Sequence, residues 1–297
     1  MAEVAVLAPA AMAGAVAGPA RLAARRFLSH RVAVASLVVL VLVIVGSLVG
    51  GRLWRYGVGD ITGEFSTGPS WQHPMGTDGI GQDVLALVLR GAQKSVQVAL
   101  LVALLATTFG TLVGAVAGYY RGVVDGILMR LTDVVLTIPG IAVLAVVAAR
   151  AHESGSWLLV AFVLSFLAWA QAARVVRAVF LSLRERPFVE SARAIGAGDG
   201  RIIWGHLLPN AAGPIIVNAT LTVAFAILLE TALSFLGLGI RRPDTSLGLL
   251  IADGQAAATT RPWLFYFPGL VIVLITLSVN FVGDGLRHAF DPSSRAR

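Results

Sequence analysis

The chain has no cysteine among its 297 residues, a single lysine (Lys94), and only 13% charged residues. The missing thiols exclude disulfides, thiolate metal sites and thiol catalysis. The scarcity of charge excludes an ordinary soluble domain, in which about a quarter of the residues are charged. No Gly-x4-Gly-Lys-Ser/Thr phosphate loop occurs, so the chain is not expected to hydrolyse ATP itself. No nucleophile–base arrangement or carboxylate pair argues for catalysis. The stretch Met1–Gly18 carries no positive segment ahead of its apolar residues, which argues against a cleaved signal peptide and reads as a flexible tail.

What is abundant is apolar: 57% of the residues are hydrophobic and the mean hydropathy is +0.83. A water-soluble fold has no interior large enough for that surface. An all-α integral membrane protein is therefore expected. Val32–Gly51 is free of charge, and twenty helical residues span a hydrocarbon core of about 30 Å. Ser95–Gly118 predicts a second span, and Gly126–Ala149 a third with a kink at Pro139-Gly140. Ser156–Ala173 predicts a fourth, continuing to about Leu183; Ala211–Leu229 and Trp263–Gly283 predict the fifth and sixth.

This divides the chain into a tail (1–31), the first helix (32–51), an extracytoplasmic segment (52–90), a five-helix core (91–288) and a second tail (289–297). Gly110, Gly114 and Gly118 make a small-residue stripe that suits either close helix packing or a substrate path. Tyr119-Tyr120-Arg121-Gly122 reads as an interfacial anchor and turn. Trp54, Trp71, Trp157 and Trp263 fall near expected interfaces.

Cations set the orientation. With the first residue inside, fifteen of the 23 Arg and Lys fall on inner segments and the remaining eight outside, which puts both termini and residues 184–210 in the cytoplasm. That polar insertion, Arg184–Asn210, is the largest between apolar runs on this side. Phe188, Ala192 and Ile195 fall on one helical face, with Glu190 and Arg193 beside it. Gly196-Ala197-Gly198 turns the chain, and Arg201–Leu208 suits a second short helix ended by Pro209. The result is a two-armed knob, or a plain solvated loop.

Here the residues carry a resemblance. Glu190, Ala192, Gly196, Leu208 and Pro209 match the Glu-Ala-Ala-x3-Gly-x9-Ile-x-Leu-Pro signature of the membrane subunits of binding-protein-dependent ABC importers. Ser191 replaces the second motif residue, and His206 stands where the general pattern has Ile. His206-Leu207-Leu208-Pro209-Asn210 resembles the peptide-transporting branch. So do His73-Pro74-Met75-Gly76-Thr77-Asp78 with Gly81-Gln82-Asp83-Val84 (Gln82 where Arg is usual), Gly118-Tyr119-Tyr120, Leu233–Gly239, Phe267-Pro268-Gly269 and Gly283–Arg287. The chain looks like a C-type subunit of the dipeptide/oligopeptide permeases over residues 27–292.

The resemblance implies a type I importer transmembrane domain of six helices with a coupling helix between the fourth and fifth. It implies that Glu190, Ser191, Ala192, Arg193, Gly196, His206, Leu208 and Pro209 meet an ATPase. The implied partners are a homologous B-type permease, one or two ATPase subunits and an extracytoplasmic substrate-binding protein, in a bacterial plasma membrane. ATP and Mg belong on the ATPase subunits, no cofactor on this chain, and no nucleic acid is involved.

Glu230 suits a structural hydrogen bond near the outer interface or contact with a peptide's amino group. Asn280, with Ser278, suits a substrate path or a bond between helices; Arg130/Asp133 and Asp284/Arg287 suit helical pairs. His73 and Asp78 suit loop structure more than a metal site. A self-contained secondary transporter or channel using Glu230 and Asp133 is the competing reading, favoured by inverted repeats or midplane charges.

Overall fold

The structure, a computed structural model, describes residues 19–150 and 156–290. Met1–Gly18, 151–155 and the tail from Asp291 lie outside the described residues. The described chain is helical. It contains α1 (Pro19–Ser29), α2 (Arg31–Leu53), α3 (Val84–Tyr120), α4 (Gly122–Thr137) and α5 (Gly140–Arg150). These are followed by α6 (Trp157–Leu183), α7 (Pro187–Ala194), α8 (Asp199–Phe235), α9 (Leu247–Gly254) and α10 (Trp263–Phe290). Five of these are long and apolar enough to cross a membrane, and α4 with α5 makes a sixth if the bent pair is one span.

The bend sits where the sequence puts it. Ile138-Pro139 separates α4 from α5, whose axes diverge by 73°. The residue before a proline is driven out of the helical region, and Ile138 is extended at ψ 123°.

α3 is longer than its uncharged core suggests, starting at Val84 rather than Ser95. Asp83 supplies the reason: its Oδ1 accepts from Ala86 N–H at 2.9 Å, an N-cap of the strongly preferred type. The extra turns carry Arg90 and Lys94, whose charges Asp244 meets.

α3 packs along α6 through the glycine stripe. A Cβ at Gly110 would lie 2.6 Å from Ala172 Cβ, and one at Gly118 2.6 Å from Phe180 Cβ. Backbones meet there because nothing larger fits. The stripe is helix packing. The main core gathers Val98, Ala99, Val102, Leu164, Ile227, Leu233, Leu247 and Ile275 from α3, α6, α8, α9 and α10.

α10 lies against α2 and α8: Gly285 faces Ala33 and Phe27, and Gly213 faces Phe290. The start of α2, the end of α10 and the start of α8 thus share one end of the bundle. The end of α3 joins them there through the Tyr119–Asp199 hydrogen bond, and residues 184–198 through Arg184, which donates to the Tyr119 carbonyl.

The opposite end is a tightly bonded segment. His73, 1% exposed, stacks on Tyr56 and sets Nδ1 2.7 Å from Asp83 Oδ2, while Trp54 Nε1 donates to Asp83 Oδ1 at 3.0 Å. Asp78 Oδ1 accepts from the N–H groups of Ile80 and Gln82. Gly76 (φ +77°) and Gly81 (φ +83°) take left-handed turns that a side chain would strain. His73 and Asp78 therefore hold loop structure through different partners, and among the described residues no group of three ligating side chains forms. Trp54 and Trp263 are tied down by hydrogen bonds, Trp157 lies under Lys94, and Trp71 alone of these four is fully exposed.

Candidate functional site

Residues 184–210 fold into a knob that differs in detail from its reading as two separate helices. α7 begins on Pro187 at its first turn, where the missing N–H costs nothing. Its buried face is Val189 and Ala192 (0% and 4% exposed), whereas Phe188 and Ile195 project outward at 37% and 86%. The helical face drawn through Phe188, Ala192 and Ile195 is thus split, because the packing surface is approached one residue further round.

Gly196 closes α7. At φ +82° it lets Ala197 N–H reach back to Ala192 O (3.0 Å) and Gly196 N–H to Arg193 O (2.9 Å), which satisfies the last carbonyls. No other group lies within 4 Å of a Cβ placed there. Its requirement inside this chain is conformational.

Pro209 does not end a helix. Asp199–Phe235 is continuous, because Ile202–Leu207 widens into a π turn in which Leu208 N–H bonds Ile203 O. A proline ring clashes with the carbonyl four residues back in a regular helix; a wider turn relieves that clash. The knob's second arm is therefore the direct extension of a membrane span.

The knob has its own core: Val189, Ala192, Ile202, Ile203, Leu207 and Ala211 pack on Ala115, Tyr119, Val176 and Phe180 of α3 and α6. Of the motif residues, Ala192 is inside, and Ser191 Oγ donates to Pro187 O at 3.0 Å. His206 O accepts from Asn210 Nδ2 at 2.7 Å, and Leu208 is half-buried against the knob core. Glu190, Arg193, Gly196 and Pro209 are on the exposed surface. Trp204, 57% exposed, joins Ile195 as an outward apolar group. Sequence reasoning passed over Trp204 and placed Tyr119 at the membrane interface. Tyr119 is no interfacial anchor; it is 5% exposed and bonded to the knob, while Tyr120 is the exposed one.

The acids of the competing reading are occupied. Glu230 is fully buried, accepting from Ser95 Oγ (3.1 Å) and Ser234 Oγ (2.7 Å). Asp133 pairs with Arg174 at 2.5 Å rather than with Arg130, and Arg177 grips Asp125 in a two-toothed bond. Asn280 Nδ2 donates to Thr276 O within its own helix. Asp284 does not pair with Arg287; its carbonyl lies 2.8 Å from His288 Nδ1.

A cleft of about 830 Å³ opens at the end opposite the knob, lined by Leu48, Arg52, Tyr56, Arg90, Asp244 and Leu250 among others. Neither Glu230 nor Asn280 lines it. On its lining, burial alone would raise the Asp244 carboxyl, but Lys94 and Arg90 outweigh burial and hold it below the usual carboxylate range.

Comparison with known proteins agrees with this architecture. Residues 110–296 match the family described as binding-protein-dependent transport system inner membrane component, and residues 18–65 match the N-terminal transmembrane domain of oligopeptide transport permease C. The oligopeptide transport system permease protein OppC of Mycobacterium tuberculosis is 44% identical over 93% of this chain and 95% of its own. OppC of Escherichia coli is 39% identical over 92% and 91%. A putative peptide permease protein of Brucella suis is 41% identical over 93% and 91%. An inward-facing structure of the MetNI methionine ABC transporter superposes with a TM-score of 0.57 at 19% identity, covering 70% of this chain and 98% of that one.

Proposed function

The chain belongs to the family of binding-protein-dependent transport system inner membrane components, and on that premise we propose that it is a permease subunit carrying oligopeptides through an ATP-driven importer. The knob at 184–210 is the surface an ATPase subunit grips. The single observation that carries the coupling role is the pairing of outward apolar side chains, Ile195 and Trp204, with an inner face sealed onto the ends of α3, α6 and α8. A force applied to such a knob is delivered to three helices at once, and α8 receives it without an intervening loop.

The peptide cargo is supported by relatives at 39–44% identity whose names specify oligopeptide transport. The chain is a membrane component of a larger transporter that includes an ATPase and a substrate-binding protein, and it lies in the inner membrane. A second, homologous permease completes the path, with one or two ATPase subunits beneath. ATP and Mg are held by those subunits. The knob, α1 and the end of α10 face the cytoplasm, consistent with the arginine count. Residues 54–83 and the loop before α9 face outward, toward the binding protein.

The test is import of a labelled oligopeptide into proteoliposomes carrying both permeases and the ATPase, with binding protein outside. ATP-dependent uptake that disappears when binding protein is omitted is the expected result. Uptake driven by an ion gradient alone, with no ATPase co-purifying, would refute the reading.

A further inference from the structure

Tyr119 ends α3, yet its side chain belongs to the knob. The hydroxyl donates to Asp199 Oδ1 at 2.6 Å. The ring is 5% exposed, and the guanidinium carbons of Arg184 and Arg193 each lie 5.7 Å from its centroid, within cation–π range. Arg184 also donates to the Tyr119 carbonyl.

These partners come from three pieces of chain. Arg184 caps the end of α6, Arg193 sits in the last turn of α7, and Asp199 opens α8. Arg193 and Asp199 stand on either side of the Gly196-Ala197-Gly198 elbow. Left alone, a glycine elbow permits α7 to tilt while the membrane helices stay where they are. A buried ring that holds both arms removes that freedom. The neighbouring Arg121–Glu185 pair (2.5 Å) reaches only the turn between α6 and α7, and its side chains are 42% and 61% exposed; ion pairs so exposed contribute little.

We propose that Tyr119 is a positioning residue that locks the two arms of the knob to the membrane end of α3. A push on α7 then moves the helices instead of flexing the elbow. The proposal rests on the coupling role given above and adds to it a residue outside the knob's own sequence.

The test uses the complete reconstituted complex and reads peptide imported per ATP hydrolysed, for Tyr119→Leu, Tyr119→Phe and Asp199→Asn. Tyr119→Leu is expected to lower that ratio about tenfold, within the usual range for coupling between separate sites. The ATPase should still co-purify and still hydrolyse. Tyr119→Phe, which keeps the ring and loses only the hydroxyl, should fall between Leu and the native residue. Asp199→Asn, which replaces the charged acceptor of that hydroxyl with a neutral one, should likewise fall between the Leu variant and the native chain. A native ratio in both Tyr119 variants overturns the proposal. Should the Leu variant not assemble, Tyr119→Phe decides, since it preserves the packing. Failure of the ATPase to join the unaltered chain would instead defeat the coupling reading itself.

Discussion

Lys94, the only lysine in the chain, holds its ammonium 2.6 Å from Asp244 Oδ2 while lying 5.0 Å over the Trp157 ring. The contact joins the first turns of α3 to the loop before α9, 150 positions later in sequence. At 8% exposure the lysine has little access to water. Removing its carboxylate leaves a buried charge with only a cation–π partner. Asp244→Ala is expected to cost about 3 kcal/mol, the lower end for a broken buried pair, since Asp244 itself is partly exposed. A drop in the thermal midpoint of the detergent-purified chain measures it; an unchanged midpoint contradicts it.

The same carboxyl gives a pH dependence. Its folded-state value lies below the ordinary 3.8, so its contribution is fully present above about 3.8 and is lost as pH falls through the lower folded value. Thermal midpoints of the native chain and Asp244→Asn should therefore converge on acidification into that window. A gap that stays constant would show that Asp244 is not the titrating group.

Gly110 and Gly118 are predicted to tolerate no side chain of size. Gly110→Val should destabilise by about 1–3 kcal/mol or more, as overpacking does, and separate α3 from α6. Gly126, where a Cβ meets nothing within 4 Å, is the control, and Gly126→Ala should leave the midpoint near native. Equal effects at the two positions would contradict the packing role of the stripe.

Gly196 is needed for its backbone and not for space. Gly196→Asn should be near native in knob stability, because Asn visits the left-handed region readily, whereas Gly196→Val should cost about 1–2 kcal/mol locally. Limited proteolysis of the knob separates the two. A transport defect shared equally by Asn and Val, with both knobs intact, would assign Gly196 to the partner's surface instead.

The helices were legible wherever twenty apolar residues run together, and the kink was legible from Pro139-Gly140. Less visible was the start of α3, because Asp83 caps it through a contact that charge-free runs do not reveal. Pro209 misled for a related reason: a π turn absorbs a proline that otherwise stops a helix, and the turn depends on how Ile202, Ile203 and Leu207 pack. The motif residues around Glu190 could be located from spacing, but which of them face inward could not. That is settled by tertiary packing on Tyr119 and Phe180. Tyr119 itself looked like a membrane anchor, as tyrosines beside a helix end often are. Its partners Arg184, Arg193 and Asp199 lie 65 to 80 residues away.

The central claim is that an ATPase seats on the outward face of the knob. The chain has no cysteine, so Ile195→Cys introduces a unique thiol at an 86% exposed position. Short-span cross-linking from that thiol in the assembled complex is the most direct test. A product with the ATPase subunit, absent when the thiol is placed instead at the fully exposed Trp71 on the opposite end, is the expected result. Cross-linking to the ATPase from position 71 but not from 195 would contradict the account.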